Sequence, residues 1–441
     1  MKERRIAFVV QRCGREVNGG AEAHCLAIAK RMSKHWDVEI LTSCAVDYVT
    51  WENSYPRGQE ELGGVVIRRF PVAAARVTEK FNRLSSELHG KRGAASAEEE
   101  EEWLQAQGPW CPELATYIGA NSREYDVFIF FTYLYWHTWA ALPKVADRAI
   151  LVPLAHDEWT IYLNIFKELF VRARHFIFNT IEEKRFLERL IPEKRFNGPV
   201  VGVSVDRPSN VAPLKFRTEH GLQEGFLLYV GRIDPSKGCG ELFDFFLRHR
   251  KDGRSPSKLV LLGKPVMDIP NHPDIVSLGF VSEETKWNAL AACEALLMPS
   301  AHESLSMVLL EAWSVGRPVI VNGRCEVLVG QCRRSNGGLW YENYAEWARI
   351  LERLQSGRAS NVLGRQGWRF VQEHYSWSSI EHAYLNAVES ILSAGRGNAM
   401  DVVAEEAVSI AGRGHPWRDR LQQENVSVVA RQLHAHIHTN S

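Results

Sequence analysis

The chain has 441 residues, 45% hydrophobic and 24% charged, a balance that excludes disorder or coiled coil as a global description and suits two or three domains of about 150 residues each. Its 53 Lys and Arg equal its 53 Asp and Glu, so no net field draws nucleic acid or an anionic membrane to the whole surface, and any basic site is local. The eight cysteines hold no C-x-x-C pair and follow no visible secretion signal, which reads as reduced thiols in the cytoplasm.

In chain order, the apolar run Ile6 to Val10 reads as a first buried strand, too short for a signal peptide. A glycine-bearing loop follows, then AEAHCLAIAKRMSKH with apolar residues at helical spacing, then the strand DVEILTS. Strand, loop, helix, strand is the βαβ unit, which requires a parallel sheet. Further strand-like runs lie at Val65 to Phe70, Val127 to Phe131, Ala149 to Leu154 and His175 to Asn179. The five-Glu run Glu98 to Glu102 reads as a solvated helix start. The region Val127 to Leu142 is interrupted by polar residues and falls short of the roughly 20 residues of a membrane span.

The segment NGPVVGVSVDRPSN has hinge punctuation near residue 203. The strand and helix grammar then restarts, with FLLYV (Phe226 to Val230), KLVLLG (Lys258 to Gly263), DIVSLG (Asp274 to Gly279), ALLMPS (Ala295 to Ser300) and PVIVN (Pro318 to Asn322) as strands. The expected organisation is an α/β domain over 1–203, a second over 204–376, one amphipathic helix over 377–394 and a tail, 395–441, of unassigned role. Ligand is expected between the domains, at the carboxyl ends of the strands.

Gly231-Arg232-Ile233-Asp234-Pro235-Ser236-Lys237-Gly238 stands directly after one strand and before a helix starting near Glu241, the arrangement of a phosphate site. Arg232 offers a forked donor, Lys237 a mobile point charge, and the helix N-terminus partial positive charge. In HESLSMVLLE, Glu303 lies in a loop after a strand, and Met307 to Val315 reads as a helix, so Glu303 sits at a helix mouth and Glu311 about one turn inside. One carboxylate could hold sugar hydroxyls and the other a ribose, with the N–H groups of Leu305, Ser306 and Met307 facing a phosphate.

With these segments in place, the chain resembles the family 4 glycosyltransferases. The landmarks are GGAE at Gly19 to Glu22, LAHDEW around His156, GRIDPSKG, LGFVS at Leu278 to Ser282, the Glu303 and Glu311 pair, and YSW at Tyr375 to Trp377. The resemblance implies a GT-B fold, two facing Rossmann-like domains with parallel sheets and a C-terminal helix crossing back to the first. It implies retaining transfer from a nucleotide-sugar donor, with the nucleotide sugar a substrate, no cofactor and no metal. Arg232 and Lys237 would bind the donor diphosphate, Glu303 the donor sugar and Glu311 the ribose. The backbone near Phe280 and Val281 would hold the base, His156 would lie beside the reacting centre, and Gly19 and Gly20 would let backbone approach the diphosphate. Ser304 and Ser306 stand where the family usually has glycine. The absence of any D-x-D pair agrees with cations replacing a metal.

Asp157, Glu158 and Trp159 read either as an acceptor pocket with Trp159 stacking on a sugar, or as acidic first-turn residues of a helix. Arg333, Arg334, Asn336, Gly337 and Gly338 read as a loop that either borders the nucleotide or is solvated. Trp136 and Trp139 look like a ligand cage but default to core packing, and His434, His436 and His438 alternate as a metal chelate would in a strand. The acceptor is left open among a glycan, a lipid-linked glycan and a small molecule, and no nucleic acid partner is expected. Arg68, Arg69, Arg76, Lys80, Lys91 and Arg92 could form a basic face for peripheral contact with the inner side of the membrane. The alternative of another class is a non-catalytic nucleotide-sugar-binding or scaffold protein of the same fold; a nicotinamide-dependent dehydrogenase lacks its G-x-G-x-x-G.

Overall fold

The computed structural model describes residues 4–397 except 18, 92, 224, 254–256 and 355–356. The chain divides into two compact units, the first made of residues 1–178, 184–199 and those from 384 onward, the second of residues 179–183 and 200–383. Helix Trp377–Gly397 begins in the second unit and, from Tyr384, belongs to the first. The tail with His434, His436 and His438, and Arg92 of the basic set, lie outside the described residues.

The first unit is built on β1 (Arg5–Val9), β2 (Asp37–Ser43), β3 (Gly58–Glu61), β4 (Val66–Phe70), β5 (Val127–Phe131), β6 (Ala149–Val152) and β7 (His175–Phe176). They form one sheet in the order β3-β4-β2-β1-β5-β6-β7, parallel except for β3. Strands covered on both faces need unbroken apolar runs, and VFIFF of β5 and AILV of β6 are buried throughout. The polar strand β3, GQEE, pairs antiparallel at the edge, where Glu60 bonds Arg69. Its lack of any apolar alternation is why sequence patterning passes over it.

Glu98 to Glu102 do start a helix, Ala97–Gln107, with Ser96 and Glu99 forming a capping box. The run is not wholly solvated, however. Glu100 is buried and accepts from the Ile165 N–H (2.9 Å) and Asn164 Nδ2 (3.1 Å) at the start of helix Asn164–Arg172.

The second unit carries β8 (Phe226–Val230), β9 (Lys258–Leu262), β10 (Ile275–Ser277), β11 (Ala295–Met298), β12 (Val319–Asn322) and β13 (Gly338–Tyr341). All are parallel, in the order β10-β9-β8-β11-β12-β13. The loop expected late in the domain is only two residues long: Arg333 and Arg334 close helix Glu326–Ser335, Asn336 caps it in the left-handed conformation, Gly337 follows, and Gly338 opens β13. From β8 the chain runs outward through β9 and β10, then returns to β11 on the other side of β8. The order therefore reverses between β8 and β11, and loops leaving the carboxyl ends of those two strands diverge to leave a crevice.

Candidate functional site

Both segments singled out for phosphate and sugar leave this reversal point. After β8, Gly231 to Asp234 leads into the short 3-10 turn Pro235–Lys237, and helix Cys239–Lys251 begins two residues earlier than expected. Asp234 organises the turn. Its Oδ1 accepts from the Ser236 N–H (2.8 Å) and its Oδ2 from Arg232 Nε (2.7 Å). Burial alone would raise the Asp234 carboxyl, but the Ser236 bond and the Arg232 charge outweigh it and hold it below the usual range. The Tyr229 hydroxyl donates to the Arg232 carbonyl (2.6 Å) and pins the same loop from below.

Gly238 joins the turn to the helix at φ 76°, and a Cβ there would come within 2.3 Å of the Pro299 carbonyl oxygen. Only glycine supplies both the left-handed backbone and the clearance. The close approach brings the end of one loop against the start of the other, and Lys237 Nζ lies 2.7 Å from Glu303 Oε1.

The loop after β11 is held from three sides: Lys237 bonds Glu303, the Thr180 hydroxyl donates to the Ser304 carbonyl (3.2 Å), and Gln331 Nε2 donates to the Leu305 carbonyl. Ser306 stands immediately before helix Met307–Ser314 at φ 71°, ψ 96°, a backbone region that side chains beyond glycine rarely occupy. Among the described residues, no acceptor appears for the N–H groups of Ser306 and Met307. They open the positive end of the helix beside Glu303.

Glu311 is buried one turn into that helix and accepts from Lys286 Nζ (2.7 Å) of helix Glu283–Ala292. Burial pushes the Glu311 carboxyl up. Lys286 is pressed down by burial but raised on balance by the charges of Glu311 and Glu283. Before that helix, Phe280 is 70% exposed. Its neighbour Gly279 accepts from the Gly263 N–H (2.7 Å), which anchors residues 279–281 at the carboxyl edge of β9.

Arg232, Lys237, Glu303, Glu311, Leu305, Ser306, Met307, Phe280 and Val281 thus all belong to the second unit and border its reversal point. Asp234, Lys286, Gln331 and Thr180 were missed by sequence reasoning. Asp234 lay inside the quoted motif, but the other three act from 25 to more than 100 positions away, where no local spacing signals them.

The remaining candidates belong to the first unit. Gly19 caps helix Gly20–Met32 with extended backbone, and a Cβ on it would strike the Glu22 carboxylate at 2.1 Å. Glu22 is buried against Arg12 Nε (2.6 Å). A Cβ on Gly20 would meet nothing within 4 Å. His156, half-buried after β6, has Nδ1 3.7 Å from Glu158 Oε1. Glu158 accepts from the Tyr133 hydroxyl (3.0 Å) and Asp157 from the Tyr162 hydroxyl (2.8 Å). The Trp159 ring meets Trp103 edge-on and His89 at a tilt.

The five described residues of the basic set all have partners within the first unit. Arg68 pairs with Glu39, Arg69 with Glu60, Lys80 with Glu102 and Lys91 with Glu99, while Arg76 is bound to the Gln107 and Tyr48 carbonyls. Among the described residues, no helix is long and apolar enough to cross a membrane.

Two parallel-sheet, Rossmann-like units with strand-end loops at a reversal point define the GT-B fold. Solved structures agree. The sucrose-phosphate synthase of Thermosynechococcus elongatus matches at TM-score 0.66 and 15% identity, over 89% of this chain and all of that one. Anabaena HepE, in complex with UDP-glucose, matches at 0.64 and 15%, over 88% of this chain and all of that one. At the sequence level, a family model described as Glycosyl transferases group 1 matches residues 224–356, the stretch from β8 through β13. A D-inositol 3-phosphate glycosyltransferase of Gordonia bronchialis is 26% identical over 241 residues, 46% of this chain and 50% of that protein. The chain spans about half the length of the curated relatives it matches, 47 to 61%.

Proposed function

We propose that the protein is a retaining glycosyltransferase of the family 4 type. It would move a sugar from a UDP- or GDP-sugar to a glycan, lipid-linked or small-molecule acceptor without a metal. The observation that carries this reading is the Lys237–Glu303 pair, formed where two strand-end loops meet beside an open helix N-terminus. Matches to glycosyltransferases, and a structural neighbour holding UDP-glucose, support it.

In this reading the two ion pairs are placeholders. A donor diphosphate takes Arg232 from Asp234 and Lys237 from Glu303, and Glu303 is released toward the hydroxyls of the donor sugar. Glu311 takes the ribose hydroxyls, and the backbone near Phe280 and Val281 takes the base. Reaction breaks the bond between the anomeric carbon and the phosphate oxygen, and the electron pair stays on the diphosphate. The acceptor oxygen bonds to the same face of that carbon, and its proton passes to the leaving phosphate oxygen. Fixed cations and helix N–H groups aimed at the departing charge contribute a few kcal/mol per strong donor. His156 is read as lying beside the reacting centre, Gly19 and Gly20 as backbone close to the diphosphate, and Asp157 and Glu158 as acceptor-side residues. The cytoplasm is the expected compartment.

The test is release of nucleoside diphosphate from UDP- and GDP-sugars. Lys237→Ala and Arg232→Ala are each expected to lower turnover by about 10²-fold or more, and a chelator to leave it unchanged. Tight nucleotide-sugar binding with no turnover, hydrolytic or to any acceptor, would favour the scaffold alternative. Loss of turnover on chelation would overturn the metal-free route.

A further inference from the structure

A cavity of about 530 Å³ opens on the first unit between helices Pro112–Ala120, Trp136–Ala141 and Asn164–Arg172. Its volume falls in the range of about 300–1,000 Å³ usual for small-ligand sites. It is separate from every residue given a role above. Trp136 and Trp139, three positions apart on one helix, both line it and are half-buried. Packing against the core fixes both rings, and buried Leu169 forms part of the floor.

The polar complement is unsatisfied by protein. Among the described residues, neither indole N–H has an acceptor, whereas Trp51 and Trp103 of the same unit donate to the Gln107 carbonyl and the Ser85 hydroxyl. Lys144, Glu168 and Arg172 stand exposed at the rim, and none makes a hydrogen bond or ion pair with described residues.

We propose that this cavity binds a short stretch of neutral saccharide chain. A sugar ring presents an apolar C–H face, which an indole covers well, and an equatorial fringe of hydroxyls, which donate and accept. Two positioned indoles bordered by two cations and one carboxylate match both faces. An apolar partner would leave the three charges without contacts, and a polyanion would meet Glu168 as a repulsive neighbour. The assignment rests on the cavity and not on the transferase reading. Under that reading, the site would hold a glycan chain on the unit taken as the acceptor side.

The experiment is titration calorimetry of the full chain with short malto-, cello- and chito-oligosaccharides, with the thermal midpoint of each variant as the check on folding. At least one series is expected to bind, and Trp136→Ala and Trp139→Ala each to weaken it about tenfold or more. Glu168→Ala and Arg172→Ala, at exposed positions, are expected to weaken the same series several-fold, which keeps the test open if a Trp variant unfolds. The proposal is overturned if no series binds, or if binding survives these substitutions unchanged. Release of nucleoside diphosphate from a nucleotide sugar reports separately on the second unit, so failure of one reading leaves the other standing.

Discussion

Ser306 shows where a residue carries a cost that the sequence could only hint at. Its position after Glu303 is one that usually takes glycine in the family the chain resembles, and its φ of 71° explains why. A side chain held in so sparse a region costs on the order of 1–3 kcal/mol, and glycine gives back part of that gain through its own entropy. Ser306→Gly should therefore stabilise the second unit by about 1 kcal/mol, read as a rise of roughly 2–4 °C in its thermal midpoint. His137 carries a different kind of load. It is fully buried, neither ring nitrogen has a partner among the described residues, and burial pulls it down to about 3. The unfolded chain takes up that proton near pH 6.5, the folded one only near 3, so His137 costs stability as pH falls through that window. His137→Phe should flatten the fall in urea-unfolding stability by up to about 1.4 kcal/mol per pH unit.

Elements rather than single residues decide the shape of the two strand-end loops at the reversal point. Arg232 and Lys237 were legible because one contiguous strand, turn and helix carries both. Lys286 was not, since its partner Glu311 sits on another helix, 25 positions away, and only packing of those two helices makes them a pair. Lys286→Met leaves a buried carboxylate without its cation and should cost about 3–5 kcal/mol. The double variant Lys286→Met with Glu311→Leu should recover most of that loss. Denaturant unfolding of the single and double variants gives the coupling directly, and near-additive losses would mean the helices do not depend on the pair. The loss in Lys286→Met should shrink in acid, where the carboxyl protonates. Element limits moved by one to three residues where apolar runs outlasted their strands, as at Ala149 to Leu154, where β6 stops at Val152 and Leu154 turns to φ 54°.

For the molecule as a whole, the double α/β grammar was the most legible feature, because strands buried on both faces must be written as unbroken apolar runs. The polar edge strand β3 and the short β13 were not legible, since neither needs such a run. All eight cysteines are free and buried, and burial raises the thiols of Cys13, Cys111, Cys293, Cys325 and Cys332 to about 12. Native protein should therefore react only slowly with a thiol-specific dye, with all eight labelled once it is unfolded. A rapidly reacting native thiol would contradict that packing. The margins of the two sheets have a further consequence. β3 and β13 have four residues each, β10 three and β7 two, and β3 ends in two carboxylates, Glu60 and Glu61. Such short or charged borders offer little template for another polypeptide to zip onto, so the fold itself guards against fibrillar self-association at high concentration.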